Sequence, residues 1–229
     1  MKKIAISQSN YIPWKGYFDL INSVDEFILY DDMQYTRRDW RNRNKIKTPT
    51  GVSWLTVPVQ NKGKYFQKIN ETVISEERWA QKHWLSIQQN YIKAPYFKNY
   101  RSIFEDFYMN CEEKMLSKVN YQLIIIICDI LNIKTKIRWS AEFNLIGDQS
   151  EKIINICKQL DAQIYFSGPA AREYFNMDVA IKNKIVVEWM NYEGYSKYTQ
   201  LFSPFVHEVT ILDLIFNTGT SSKNYMKSF

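Results

Sequence analysis

Two side chains, His83 and Asp32, combine a type that can accept a proton with a position that favours catalysis. His83 shares a predicted helix face with Trp79 and Ile87, and an imidazole exchanges protons near neutral pH. Asp32 follows a predicted strand, where a carboxylate can act as a general base, orient an amine or hydroxyl, or help to bind a metal. The structural alternatives are a packed core histidine and a solvated strand end or helix cap. Both residues are candidate catalytic groups.

A basic segment follows Asp32 and could bind phosphate groups. It contains six cationic side chains, Arg37, Arg38, Arg41, Arg43, Lys45 and Lys47. An arginine fork matches a phosphate group bidentately, and the indole of Trp40 could stack on a ring. Without these six, the remaining 24 Lys and Arg equal the 24 Asp and Glu, so the segment carries the whole net charge of +6.

That concentration of charge predicts a focused site for an anionic small molecule, such as a diphosphate-linked sugar or coenzyme A. The candidate binding residues in this segment are Arg37, Arg38, Asn42, Arg43 and Asn44, and Asp31 precedes them. Nucleic acid is a less favoured partner, because the rest of the chain is not basic. A merely solvated run of charges is the structural alternative.

Two predicted turns lead from a strand into a helix and could bind an anion. The first turn contains the candidates Asn10, Tyr11, Trp14, Gly16 and Tyr17. The free N–H groups at the start of its helix could hold a phosphate, and its aromatic rings could stack on a base or a sugar. The second turn contains the candidates Ser167, Gly168 and Arg172, and Gly168 permits close approach of the backbone. Alternatively, glycine and proline only shape these turns.

The elements that position these residues alternate between strands and helices. Residues 3–7 predict a buried strand, 14–24 an amphipathic helix and 27–30 a second strand, which together suggest a βαβ unit. The C-terminal third repeats the alternation, with a helix at 150–160 capped by Ser150, strands at 162–166 and 185–189, a short helix at 170–175 and a closing helix at 209–217. Further strands are expected at 53–59, near a sheet edge, and at 135–143. The tail after Gly219 is expected to be frayed.

The predicted fold class is therefore α/β, with a mostly parallel sheet built from N- and C-terminal βαβ-type segments and a helical insert. The chain is expected to form a single domain over residues 1–229, with a helical lobe at about 76–132. In open α/β sheets, ligands bind beyond the carboxyl ends of the strands. Three polar segments should share that edge, namely residues 8–17, 31–35 and 167–172.

Composition narrows the class of protein. Hydrophobic residues make up 45% and charged residues 24%, as in a folded globular protein. The three cysteines show neither metal-ligand spacing nor an even count, which favours a reducing compartment. No signal peptide or membrane span is recognised, so a cytoplasmic location without membrane insertion is expected. No metal site is predicted and no cofactor is identified. The sequence is compatible with a homo-oligomer.

Several motifs resemble those of the WbqC-like protein family. They are QSNYIPWKGYFDLI at 8–21, YDDMQY at 30–35, NRNKI at 42–46, VPV at 57–59, KH at 82–83, YIKAPYF at 91–97, YFSGP at 165–169 and ILDLIFN at 211–217. The match extends over residues 3–219 in order, and the combination is specific. Ser9 stands where proline is usual in the family, and Ala171 where glycine is expected.

The resemblance implies a role in surface-polysaccharide biosynthesis, such as O-antigen or capsule. Because surface glycans often carry amide-linked acyl groups on amino sugars, we hypothesise an acyl- or amide-forming transferase that acts on a nucleotide-linked amino sugar. Asp32 or His83 would accept the proton from the attacking amine, and the cationic residues would hold diphosphate or an acyl donor. The alternative is a non-catalytic nucleotide- or sugar-binding accessory protein of a glycan pathway.

Overall fold

The computed structural model describes residues 1–229 and has a parallel sheet at its centre. The strands β1 to β7 span Lys3–Ser7, Glu26–Leu29, Arg43–Thr48, Gly51–Thr56, Lys136–Trp139, Ile164–Ser167 and Val186–Trp189. The helices α1 to α7 span Lys15–Asn22, Trp79–Tyr91, Phe97–Asn110, Leu116–Leu131, Gln149–Gln159, Met177–Lys182 and Ile211–Thr218. The predicted α/β class is confirmed.

Five strands form the main sheet, in the order β5-β2-β1-β6-β7, and every neighbouring pair is parallel. The predicted βαβ unit is present, since β1 pairs with β2 across α1 in a register that sets Ala5 opposite Phe27. From β1 the chain moves outward to β2 and β5, and then returns to the other side of β1 with β6. The direction of winding therefore reverses between β1 and β6.

Both faces of the sheet are covered, which explains its nearly continuous apolar strands. Alternate residues point to opposite faces, so Ala5 and Phe27 join one core of 42 buried residues, while Ile4 and Ile28 join another of 14. The larger core also contains the buried side chains of α2, α3 and α4. We call these three helices the helical lobe. These three helices lie within the segment predicted to be helical. No helix combines the length and the apolar character needed to cross a bilayer.

The strand expected at 53–59 is not an edge of the main sheet. Residues Gly51–Thr56 pair instead with Arg43–Thr48 in a separate antiparallel hairpin. The sequence does not predict the strand β3, because its alternating cationic side chains resemble a basic surface segment.

Two smaller expectations are wrong at helix ends. Asp148, not Ser150, caps α5: its carboxylate accepts a hydrogen bond from the Glu151 N–H at 2.9 Å, and the Glu151 carboxylate accepts one from the Asp148 N–H at 2.8 Å. This reciprocal capping box satisfies two N–H groups at the start of the helix. The Ser150 hydroxyl accepts from the Asn176 N–H at 2.9 Å instead.

The C-terminal tail is ordered, contrary to the expectation of fraying. A 3₁₀ helix covers Gly219–Tyr225, and the N–H groups of Lys227 and Ser228 then donate to the buried Asp19 carboxylate, each at 2.9 Å. A buried carboxylate needs hydrogen-bond donors, and the tail supplies them. The tail is therefore part of the packing around α1.

Candidate functional site

A cleft of about 450 Å³ opens at the carboxyl ends of β1 and β6. Ser7 and Gln8 from the end of β1 and Ser167 and Gly168 from the end of β6 line it. It therefore lies where the winding of the sheet reverses, which is the place where open α/β sheets bind their ligands. Of the three polar segments expected at this edge, the first and third contribute directly, and the second contributes Met33.

Aromatic rings form the walls of the cleft. Trp14, Trp40 and Tyr192 line it, and the rings of Trp14 and Tyr192 meet edge to face with centroids 5.1 Å apart. Trp14 folds back over the start of α1, where a Cβ on Gly16 would come within 2.3 Å of the indole. Gly16 is thus the residue that lets the indole lie in this position. Such walls suit a nucleotide base or the face of a sugar ring.

Arg41 is the only cationic side chain that lines the cleft, and no acidic or histidine side chain lines it. Its guanidinium donates a hydrogen bond to the Asn10 side-chain oxygen and lies 3.6 Å from the Asp39 carboxylate. Only 14% of the side chain is exposed, and its buried Nε has no hydrogen-bond partner. A half-satisfied, largely buried guanidinium at a cleft is suited to an anionic ligand.

Tyr30 follows β2 and also lines the cleft. The residue is 6% exposed, and its hydroxyl is buried without a hydrogen-bond partner. Burial raises the pKa of Tyr30 to about 12, so the hydroxyl stays protonated. Nearby, the Tyr165 hydroxyl donates to the Ser167 hydroxyl at 3.0 Å, and both residues line the same cleft. Tyr30 and Arg41 therefore each have one buried donor without a partner beside the cleft, which is unusual in a folded protein.

A buried polar network supports the first turn from below. The Ser9 N–H donates to the Asp31 carboxylate at 2.8 Å, and the Asn120 side chain donates to the Ser9 hydroxyl at 3.0 Å and to the Arg41 carbonyl at 2.9 Å. Burial raises the pKa of Asp31, against the lowering effect of the Ser9 hydrogen bonds. Asp31 thus holds the turn at Ser9, and Asn120 connects that turn to the backbone of Arg41. Asp31 itself does not line the cleft.

A second cavity of about 320 Å³ adjoins the first. The two share four lining residues, Asn10, Trp14, Trp40 and Tyr192, and the second adds Pro13, Asn44 and Glu208. The Asn44 amide donates to the carbonyl of Ile12 at 2.7 Å, which fixes the turn where Ile12 adopts a positive φ of 40°. Glu208 is the one carboxylate among the residues that line either cavity.

Six of the predicted binding residues line these cavities, namely Asn10, Trp14, Tyr17, Asn44, Ser167 and Gly168. Gly16 lies directly under Trp14. Tyr11 is fully buried in the helical lobe. Asn42 is buried under the hairpin, where its side chain donates to the Val57 carbonyl at 2.8 Å.

The basic segment is dispersed rather than focused, because successive side chains of β3 and its approach point in different directions. The Arg43 guanidinium stacks over Trp54 at 4.1 Å, and Arg37 donates to the Asn61 carbonyl at 2.9 Å. Arg38 is exposed, and the Arg172 guanidinium lies over Trp189, 5.4 Å from the ring centroid. None of these four arginines lines either cavity.

The two candidate catalytic groups also lie outside the cavities. His83 is 7% exposed, with Nδ1 2.7 Å from the Tyr11 hydroxyl and Nε2 3.2 Å from the Thr56 carbonyl. Burial lowers the pKa of His83 to about 4, so the ring is neutral near pH 7. The helix face that makes His83 a candidate catalytic group is directed towards the core of the helical lobe.

Asp32 is held on the β5 side of β2. Its carboxylate accepts hydrogen bonds from the Ser140 hydroxyl and, at 3.2 Å, from the Asn70 amide, and it lies 3.8 Å from the Lys68 ammonium. These contacts tie together three segments that meet beside the sheet. Asp32 and His83 thus belong to separate hydrogen-bond networks, and neither of them lines the cleft.

Sequence reasoning did not single out several residues that line the cleft. Arg41 was present in the basic segment but was not distinguished from its neighbours, and Tyr30 ended a predicted strand at the carboxyl edge. Position at that edge could have identified Tyr30. Gln149 and Tyr192 lie far along the chain and carry no local signal.

The fold and the position of the cleft define an α/β protein with a candidate ligand site where the winding of its parallel sheet reverses. The chain belongs to the WbqC-like protein family, whose family model matches residues 8–225. It is 47% identical over 227 residues to the protein named "Uncharacterized protein Rv1507c" of Mycobacterium tuberculosis (strain ATCC 25618 / H37Rv), covering 99% of this chain and 98% of that relative. No solved structure matches the chain.

Proposed function

We propose that the cleft binds a nucleotide-linked amino sugar and that the protein is a surface-polysaccharide biosynthesis enzyme that transfers an acyl or amide-forming group to it. The observation that carries the proposal is the pair of unpaired donors, Arg41 Nε and the Tyr30 hydroxyl, beside aromatic walls without any acidic side chain. Membership of the WbqC-like family supports the pathway.

The chemistry of the walls suggests how such a ligand would lie. The diphosphate would meet the Arg41 guanidinium, close to the start of α1, where the N-cap residue Trp14 provides no side-chain cap. A base or sugar ring would stack against Trp14 or Tyr192. The hydroxyls of Tyr30 and Ser167 would then hydrogen-bond to sugar hydroxyl or carbonyl groups. This arrangement uses charge, stacking and hydrogen bonding from different strands.

The second cavity would take the acyl donor, because it opens onto the first through four shared residues. In the transfer, the amine nitrogen attacks the acyl carbonyl carbon, the donor's leaving group departs with the bonding electron pair, and the nitrogen loses a proton. Holding the two substrates side by side can supply a large part of the rate enhancement in such reactions. Glu208, which lines the second cavity, would accept the proton in preference to Asp32 or His83.

A non-catalytic binder is the second candidate function. One observation favours it, namely that no carboxylate or histidine lines the 450 Å³ cleft itself. Such a protein would bind the nucleotide-linked sugar with the same residues and would release it unchanged. The distinction between the two functions is therefore turnover, not affinity.

Thermal-shift titrations with nucleotide-linked amino sugars, acyl-coenzyme A species and free nucleotides test the binding part of the proposal. A ligand that binds the folded state raises the Tm. We expect stabilisation by a nucleotide-linked sugar to be lost in Arg41→Ala and retained in Arg37→Ala, which removes the same charge outside the cleft. Equal loss in both variants, or no stabilisation by any nucleotide-linked sugar, contradicts the assignment of the cleft.

Mass spectrometry of mixtures of the stabilising sugar with each acyl donor tests the reaction. The transferase assignment predicts a product with the mass of the acylated sugar, lost in Glu208→Gln and retained in Asp32→Asn and His83→Gln. Binding without any product would favour the accessory protein. Loss of product only in Asp32→Asn or His83→Gln would return the catalytic role to those residues.

A further inference from the structure

A loop at residues 60–68 presents two adjacent aromatic rings to solvent. Tyr65 is 71% exposed and Phe66 is 81% exposed, and their rings meet edge to face with centroids 5.0 Å apart. A contiguous exposed apolar patch on a folded protein can mark a site that meets a partner or a membrane. The loop follows the hairpin β3–β4 and belongs to neither cavity described above.

The exposure of these rings is built into the loop by hydrogen bonds at its base. The buried Gln67 side chain donates to the Gln60 carbonyl at 2.9 Å, which closes the loop on itself. The Tyr35 N–H donates to the Gln67 carbonyl and the Gln34 side chain to the Tyr65 carbonyl, both at 2.9 Å. With residues on both sides of the rings fixed to the body of the protein, the rings are held outward.

Cationic side chains share the loop with the two rings. Lys62, Lys64 and Lys68 are exposed, and Arg37 joins the loop by donating to the Asn61 carbonyl at 2.9 Å. No acidic residue occurs between 60 and 70. Lys68 contacts two acids, since its ammonium lies 3.8 Å from the Asp32 carboxylate and its N–H donates to the Glu71 carboxylate at 3.0 Å. Lys62 and Lys64 make no ion pair, so their charge is free for a partner.

We propose that this loop docks onto the surface of an anionic lipid bilayer, with Tyr65 and Phe66 in the interface and the surrounding lysines on the lipid headgroups. Aromatic rings favour the boundary between water and hydrocarbon, and lysines near an anionic surface add attraction. Two side chains are too few for a stable protein–protein interface, which needs several hundred Å² from each partner. The inference does not depend on the proposed reaction.

Docking at this loop would bring the ligand-binding edge of the sheet near the bilayer. The Ile69 N–H donates to the Met33 carbonyl at 2.9 Å, and Met33 lines the cleft. The loop is therefore attached to the segment that leaves the carboxyl end of β2. A substrate or product carried at a membrane surface would meet the cleft from that side.

Co-sedimentation with vesicles tests the proposal on the intact protein. We expect binding to phosphatidylcholine vesicles that contain phosphatidylglycerol, weak binding to pure phosphatidylcholine, and a fall in binding as salt is raised. The double variant Tyr65→Ser, Phe66→Ser should weaken binding roughly tenfold or more, because the rings no longer enter the interface. Lys62→Ser and Lys64→Ser should each weaken it about fivefold.

Matched controls change residues of the same types elsewhere on the surface. Leu85→Ser removes a side chain that is 63% exposed, and Lys93→Ser and Lys182→Ser remove exposed charges, so all three should leave binding unchanged. In Phe66→Trp, binding to anionic vesicles should shift the fluorescence of the new indole to shorter wavelength.

Three results would overturn the proposal. They are absence of binding to anionic vesicles, equal binding by the aromatic double variant, and equal weakening by the control variants. A loop that instead stacks on bases would bind single-stranded oligonucleotides, with loss in the same loop variants and no vesicle binding. That outcome would reassign the loop to nucleic acid.

Discussion

The helical lobe and the cleft both bury tyrosine hydroxyls, but only the cleft leaves one of them without a hydrogen-bond partner. In the lobe, the Tyr11 hydroxyl lies 2.7 Å from His83 Nδ1 and 2.8 Å from the Tyr108 hydroxyl. At the cleft, the buried Tyr30 hydroxyl has no partner at all. Buried polar groups are normally satisfied within the protein, so an exception beside a cavity points to a ligand.

The lobe network is complete when His83 is neutral. The Thr56 carbonyl can only accept, so His83 Nε2 carries the hydrogen, Nδ1 accepts from Tyr11, and Tyr11 accepts from Tyr108. The same holds where α2 meets α7, since the buried Asp213 carboxylate accepts from Tyr91, Tyr198 and Gln200 at 3.0, 2.7 and 2.9 Å. Burial of an ionisable group is therefore structural in these regions. At the cleft, the missing partners are what suggest function.

The largest expected effect comes from breaking the network of Asp213. In Asp213→Ala, the hydroxyls of Tyr91 and Tyr198 and the Gln200 amide lose their shared acceptor inside the core. We expect the free energy of unfolding to fall by about 4 kcal/mol, measured by urea denaturation. Asp213→Asn, which keeps one acceptor oxygen, should lose less. Equal stability of the alanine variant and the parent would show that these contacts are not maintained.

The next effect is the pH dependence of the lobe. Burial lowers the pKa of His83 from 6.5 to about 4, so the folded state resists protonation that the unfolded state accepts. The stabilisation is fully present above pH 6.5 and is lost as the pH falls towards 4, by about 3 kcal/mol. Between these pH values, a plot of unfolding free energy against pH should be steeper for the parent than for His83→Gln. The difference in slope should correspond to the uptake of up to one additional proton on unfolding. Parallel plots would mean that His83 titrates normally.

A smaller loss of stability is expected in Tyr11→Phe. The change removes one oxygen atom, and leaves His83 Nδ1 without a donor and Tyr108 without an acceptor. The free energy of unfolding should fall by about 2 kcal/mol, while affinity for the cleft ligand stays the same. Urea denaturation and the thermal-shift titration measure the two quantities separately. Weaker ligand binding in this variant would connect the lobe to the cleft.

The smallest effect on stability is expected from the matching change in the cleft. Tyr30→Phe removes a hydroxyl that has no partner, so the free energy of unfolding should change by less than about 0.5 kcal/mol or rise slightly. Affinity for the cleft ligand should nevertheless fall, by roughly tenfold for one lost hydrogen bond. If Tyr30→Phe destabilises as much as Tyr11→Phe, the hydroxyl is satisfied in solution and the contrast between the regions disappears.

Local patterns predicted much of the architecture. The structure contains, in the predicted order, the apolar strand 3–7, the amphipathic helix after it and the second strand. These elements could be predicted because each has its own hydrophobic periodicity. The helices of the lobe followed for the same reason. The sequence did not predict the hairpin strand β3, because its alternating side chains are cationic rather than apolar. Arg43 packs on Trp54 of the neighbouring strand β4, a contact that no local pattern indicates.

The sequence predicted the location of the candidate site better than the residues that form it. The sequence by itself determined that polar turns follow β1 and β6 and that both belong to one sheet edge. Only the tertiary structure decided that Arg41, not its arginine neighbours, reaches the cleft, and that His83 faces the lobe core. Secondary structure depends on spacing along a few turns of chain. Which side chains support the first turn depends on residues such as Asn120 and Tyr192, which meet that turn only after the whole chain has folded.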